Sequence, residues 1–101
     1  MSNTSHDMQH AEPGISSQSR PRVGTGFRLQ WEPAQSAHVL LYPEGMVKLN
    51  GSAGEILSLC DGVRCVEDIV ALLESKFAQQ NLINDVTSFL AMARRQGWAR
   101  W

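Results

Sequence analysis

The run LLYPEGMVKLNGSAGEIL, Leu40 to Leu57, constrains the fold more than any other part of the chain. Two apolar, β-prone runs, HVLLY (His38 to Tyr42) and MVKLN (Met46 to Asn50), flank the short connection PEG, a spacing that predicts a hairpin. In that register Val39 and Leu41 share a face with Val47 and Leu49. A helix follows without a spacer. Ser52 and Glu55 have the S-x-x-E spacing of a capping box, and Asn50 is a competing cap. Ala53, Ile56, Leu57 and Cys60 then recur at helical spacing until Asp61-Gly62, where glycine can end the helix.

On either side the pattern stays regular. FRLQWE (Phe27 to Glu32) alternates strictly, with Phe27, Leu29 and Trp31 on one side, which is the period of a half-buried strand. Downstream, Val66, Ile69, Val70, Leu73 and Phe77 form one stripe of a helix from about Val66 to Ala78, with Glu67, Asp68, Glu74 and Lys76 on the wet side. A third helix runs from about Leu82 to Gln96. Its inward residues are Val86, Phe89, Leu90 and Ala93, with Asp85 in the first turn and Arg94 and Arg95 in the last, matching the helix dipole. Gly97 is the stop; Trp98 is expected to fold back onto the core and Trp101 to be loose. Three strands followed by three helices predict an α+β domain, a small antiparallel sheet covered on one face and a winged helix-turn-helix-like arrangement.

Residues 1–24 are rich in Ser, Gln, His, Pro and Gly and carry few large apolar side chains, so they are expected to be a disordered tail ahead of a domain spanning 25–101. Met8 offers an alternative start, and His6 and His10 are expected to be solvated. With 101 residues there is room for one domain, whose apolar side chains are mostly committed to holding it together. A net charge of -1 and pI near 6.3 give no footprint for nucleic acid or an anionic membrane. No run approaches a membrane span and no secretory signal is recognisable, so the expected compartment is the cytoplasm. Cys60 and Cys65 then read as free thiols.

The catalytic inventory is poor. The expected domain holds one histidine, His38, with no carboxylate or cysteine at a suggestive spacing, and neither phosphate-loop fingerprint occurs. No catalytic residue, metal or cofactor is expected. What remains is the sheet: in a three-stranded meander the MVKLN strand keeps one edge unpaired, a template for an extended peptide. The alternative is that Lys48 merely guards that edge.

The run RLQWEPAQSAHVLLYPEGMVKLNGSAGEILSLCDG, the V-x-x-I-V-x-x-L helix and DVTSFLAMARRQGW together resemble the PqqD family of pyrroloquinoline quinone (PQQ) biosynthesis, over about Arg28 to Trp98. The resemblance implies a peptide chaperone without catalytic residues. Members bind the PqqA precursor peptide and deliver it to PqqE, a radical S-adenosylmethionine enzyme. In related recognition elements the leader peptide adds beside the third strand and lies against the third helix. Carried onto this chain, that implies peptide contacts at Met46, Val47, Lys48, Leu49 and Asn50, with Asp85, Phe89 and Met92 flanking. Two departures are the long polar tail and Cys65, which stands where a Thr or Asp would cap the second helix better. A DNA-binding winged helix is the competing reading, opposed by an acidic chain whose arginines lie at the wrong end of the third helix. The exposed edge, or an exchanged first strand, leaves a homodimer open.

Overall fold

The computed structural model describes residues 14–101. In chain order they form β1 (Arg22–Val23), β2 (Arg28–Glu32), a 3₁₀ turn (Pro33–Gln35), β3 (Ala37–Tyr42), β4 (Gly45–Lys48), α1 (Gly51–Ser58), α2 (Val66–Phe77), α3 (Ile83–Arg95) and β5 (Ala99–Arg100). The expected α+β class holds: β2, β3 and β4 make an antiparallel sheet in that order, followed by three helices. His6, Met8 and His10 lie outside the described residues.

The hairpin register differs by one residue from the sequence expectation. Gly45 pairs with Tyr42, so the loop is the two residues Pro43-Glu44 rather than PEG. Because side chains alternate, that single step exchanges the two faces of β3 relative to β4. Leu40 therefore stands opposite Val47, and Leu29 lies across from it on β2. Val39 and Leu41 share the opposite face with Lys48 and Met46. Leu40 has 0% exposure and joins Leu49, Ile56, Leu57, Ile69 and Leu90 in the core that the helices bring to the sheet.

The close approach of α1 to the sheet depends on Gly54. A Cβ there would lie 2.6 Å from His38 Nδ1, so only glycine lets the helix settle against β3. His38 is half-buried beneath it, edge-on to Trp31 at 5.0 Å between ring centroids. Asn50, not Ser52, caps α1: its Oδ1 accepts from Ala53 N at 2.8 Å and from Ser52 Oγ at 3.0 Å. Glu55, expected to complete a capping box, instead meets Lys76 of α2 at 2.7 Å. Glu74, expected on the wet side, accepts from Leu82 N at 3.1 Å and so ties the end of α2 to the start of α3.

At the start of α2 the absence of a Thr or Asp cap is offset twice. The Asp68 carboxylate accepts from Cys65 N at 3.1 Å, and the chain before β1 supplies two further acceptors. Val66 N donates to Ser19 O and Glu67 N to Ser17 O, both at 2.9 Å, so two of the amides that open a helix without partners are satisfied from outside it. This overturns the expectation that disorder extends to residue 24. Residues 14–24 form a strap: Pro21 is buried, its carbonyl accepts from Gly62 N, β1 pairs with β5, and Gly24 N donates to Trp98 O at 2.7 Å. Composition missed the strap because most of its ties are backbone hydrogen bonds, and its few apolar side chains, Ile15, Pro21 and Val23, are too scattered to form a pattern. Trp101, expected to be loose, is packed against the core, with its Nε1 donating to Gly14 O and Arg94 stacked 4.5 Å from its ring.

Two outcomes check these assignments. Asn50→Ala is expected to cost about 1 kcal/mol in urea unfolding, and Ser52→Ala distinctly less. A chain starting at residue 25 is expected to be less stable than one starting at Gly14, on the order of 4 kcal/mol at about 1 kcal/mol for each of the four backbone hydrogen bonds named above; equal melting temperatures would remove the strap from the fold.

Candidate functional site

Among the described residues β4 has one hydrogen-bonded neighbour, β3. Which of its groups face outward follows from the ladder. Leu49 N donates to His38 O at 3.0 Å, and in an antiparallel pair the bonded positions alternate. Leu49, Val47 and Gly45 thus direct their backbone groups at β3, while Met46 and Lys48 turn theirs to the open side. Of the five expected backbone contacts, Val47 and Leu49 are spent on the ladder, and both side chains face the core. Asn50 lies beyond the strand as the α1 cap.

The three helix residues are separated by burial. Phe89 is half-buried against the core cluster, Met92 is half-buried, and Asp85 is exposed in the first turn of α3. Asp85 borders a cleft of about 520 Å³ that opens beside the start of α1, just past the end of β4. Ile56, Leu73, Phe77, Leu82 and Val86 give it an apolar lining, with Glu55 also at the wall. Phe77, expected inside, is 45% exposed because α2 runs on past its packing partners and leaves the ring over the cleft. These lining residues escaped the sequence reading. Ile56, Leu73, Phe77 and Val86 each sit on the apolar stripe of their own helix, and only the way three helix ends diverge turns them toward a common space.

The remaining reactive groups are quiet. Both cysteines are free and buried. Burial pushes the Cys60 thiol up to about 12, helped by the neighbouring Asp61 carboxylate, and its Sγ donates to Ile56 O at 3.3 Å. Asp61 is held below the usual carboxylate range, first by the amides of Arg64 and Val63 and then by the Arg64 guanidinium. Asp68 is held low chiefly by the Cys65 amide. Such lowered groups stabilise the fold above the normal Asp range, and that contribution is lost as the pH falls through their folded values. Among the described residues no group of three or more His, Cys, Asp or Glu is placed to hold a metal, and no helix is long and apolar enough to cross a membrane.

Residues 37–99, more than half of the chain, match the family model for coenzyme PQQ synthesis protein D, PqqD. The chain belongs to the PqqD family. A PqqA binding protein of Azotobacter vinelandii is 54% identical over 79 residues, covering 77% of this chain and 86% of that protein. One of Pseudomonas aeruginosa strain UCBPP-PA14 is 56% identical over 81 residues, covering 79% and 88%. The solution structure of the PqqD portion of Methylobacterium extorquens PqqCD, described as a stand-alone recognition element for ribosomally made, modified peptides, superimposes with a TM-score of 0.72 at 28% identity. It covers 87% of this chain and 96% of that one. The fold of this PqqD family member is therefore that of a recognition element. Its relatives are named for what they bind rather than for a reaction.

With a thiol reagent at pH 8, native protein is expected to react far more slowly than protein in denaturant, because Cys60 stays protonated and both sulfurs are covered. Equal rates would show that the thiols are accessible.

Proposed function

We propose that this chain is a non-catalytic peptide chaperone of PQQ biosynthesis. It binds the PqqA precursor peptide as a strand added to β4 and presents it to the radical enzyme PqqE. One observation carries the reading: β4 is an outer strand that turns the amides and carbonyls of Met46 and Lys48 away from the sheet, and an apolar cleft opens where it ends. A peptide laid along this edge would bond to both residues, and its alternate side chains would turn toward the helix layer. There Phe89 and Met92 offer apolar contact, the thioether adapting to an irregular partner. Asp85 adds a negative charge at the mouth of the cleft. The names of the relatives support the choice of guest, and two buried free thiols suit a reducing cytoplasm.

Strand addition leaves the fold as it is, so the module needs no acid, base or metal of its own. Its contribution is to order an extended peptide, a cost otherwise met by the enzyme. A second copy pairing through β4 would occupy the same groups, so a homodimer formed that way competes with peptide. No observation favours the DNA reading: the first turns of α3 carry Asn84, Asp85, Thr87 and Ser88, and the arginines lie at the far end.

The ladder changes the choice of test. Val47→Pro removes a donor that faces β3 and so damages the hairpin itself, whereas Lys48→Pro removes one from the open edge, where proline is tolerated. In calorimetry with synthetic PqqA, Lys48→Pro is expected to weaken binding about tenfold, one hydrogen bond of roughly 1.4 kcal/mol, with little change in melting temperature. In hydrogen exchange the Met46 and Lys48 amides are expected to slow on peptide saturation. Unchanged exchange at both would end the strand-addition reading.

A further inference from the structure

The end of the molecule around β1 and β5 carries a charge arrangement that the fold does not need. Arg22 and Arg100 are direct cross-strand partners, and the pairing of Val23 with Ala99 toward the core turns both arginines to the solvent side. Like charges placed opposite one another on a two-stranded ladder destabilise it. Among the described residues the ion pairs are Arg64 with Asp61 at 2.9 Å and Lys76 with Glu55; Asp61 is the backbone neighbour of Arg22 on its other side, but its carboxylate is taken by Arg64, so neither strand arginine has an ion-pair partner there.

Two more arginines extend the patch. Arg20 donates to the Val63 carbonyl, and Arg64 holds the same turn through Asp61. Arg22 lies flat over Gly62, where a Cβ would come within 2.8 Å of its guanidinium. At the centre stands Val63, 69% exposed and the most exposed of the large apolar side chains described. An exposed apolar tip with Arg20, Arg22 and Arg64 beside it, and Arg100 across the ladder from Arg22, suits a protein interface, where arginine is enriched over lysine.

We propose that this patch docks an acidic surface of a second folded protein: on the function proposed above, the enzyme that receives the bound peptide. Three features favour a protein over other anionic partners. All four cations are arginines, whose planar forks match carboxylates two bonds at a time, and both lysines of the chain lie elsewhere. Asp61, Asp68 and Glu67 interrupt the patch, which would repel a continuous phosphate backbone yet leaves room for carboxylates placed one by one. The exposed valine has no use to a polyanion. A carboxylate set between Arg22 and Arg100 relieves their repulsion, so the strand pair becomes more favourable when the partner is bound. The docking surface is built on β1, β5 and the turn after α1, and it uses no group of the β4 edge, so both guests can be held together.

The test is charge reversal at Arg22 and Arg100, neither of which forms an ion pair among the described residues. Arg100→Glu converts the like-charge pair into an opposite one; Arg22→Glu does the same but sets a carboxylate opposite Asp61 on its other side. Arg100→Glu is expected to melt at or above the temperature of the unaltered protein and Arg22→Glu somewhat below it, since it faces Asp61 and loses the packing over Gly62. Both are expected to bind synthetic PqqA as the unaltered protein does. Association with purified PqqE, measured with and without PqqA, is expected to fall about tenfold and to lose most of its salt dependence. The double variant, which restores a like-charge pair of the other sign, should associate as poorly. Unchanged association of both single variants overturns the proposal, as does failure of the unaltered protein to associate with PqqE under either condition. Duplex DNA or phosphatidylglycerol vesicles that capture the unaltered protein but not Arg22→Glu would overturn the choice of a protein partner. If PqqA itself fails to bind the unaltered protein, the proposed function falls, while the measurements without peptide still judge the patch.

Discussion

The structure turns on Leu40. It sits in the central strand with Leu29 on one side and Val47 on the other, and no water reaches it. A side chain in that position removes about as much apolar surface from water as a leucine can, and it does so for three strands and the helix layer at once. Moving the hairpin by one residue would put Leu40 and Val47 on opposite faces, so that keeping Val47 inward would turn Leu40 out and bring Val39 and Leu41 in. The two-residue loop closed by Tyr42 and Gly45 sets the choice, and burial of Leu40 holds it.

A sheet organised this way has consequences at its margins. The core cluster lies on the Leu40 face of β3, although Val39 is buried on the other; β4 ends the sheet with half its backbone groups turned outward, and the chain passes at once through the Asn50 cap into α1. The same step that closes the core therefore creates the edge, and a separate binding element is not needed. At the other end, backbone bonds from Ser17, Ser19, Pro21 and Gly24 close the start of α2 and the exit of α3. The molecule thus has an apolar cleft and open strand beside β4, and a separate run of arginines on β1, β5 and the turn after α1. A module that takes a flexible guest with one surface and meets a folded partner with another would be built on that division.

The alternation of FRLQWE, the two β-prone runs, and the stripes through Val66 to Leu73 and Val86 to Ala93 determined the number, order and kind of the main elements, because periods of two and of 3.6 residues are properties of the chain itself. The open edge of MVKLN was legible for the same reason. Tertiary structure decided what depends on partners distant in sequence. It selected Asn50 over Ser52 as the cap by where the strand delivers the backbone, drew Glu55 away to Lys76, and left Phe77 over a cleft that three helix ends form together. It also decided that residues 14–24 belong to the fold and that Arg22 faces Arg100. Strands of two residues have no period to detect, and their pairing exists only once helices lying between them in sequence have brought the two ends of the domain together.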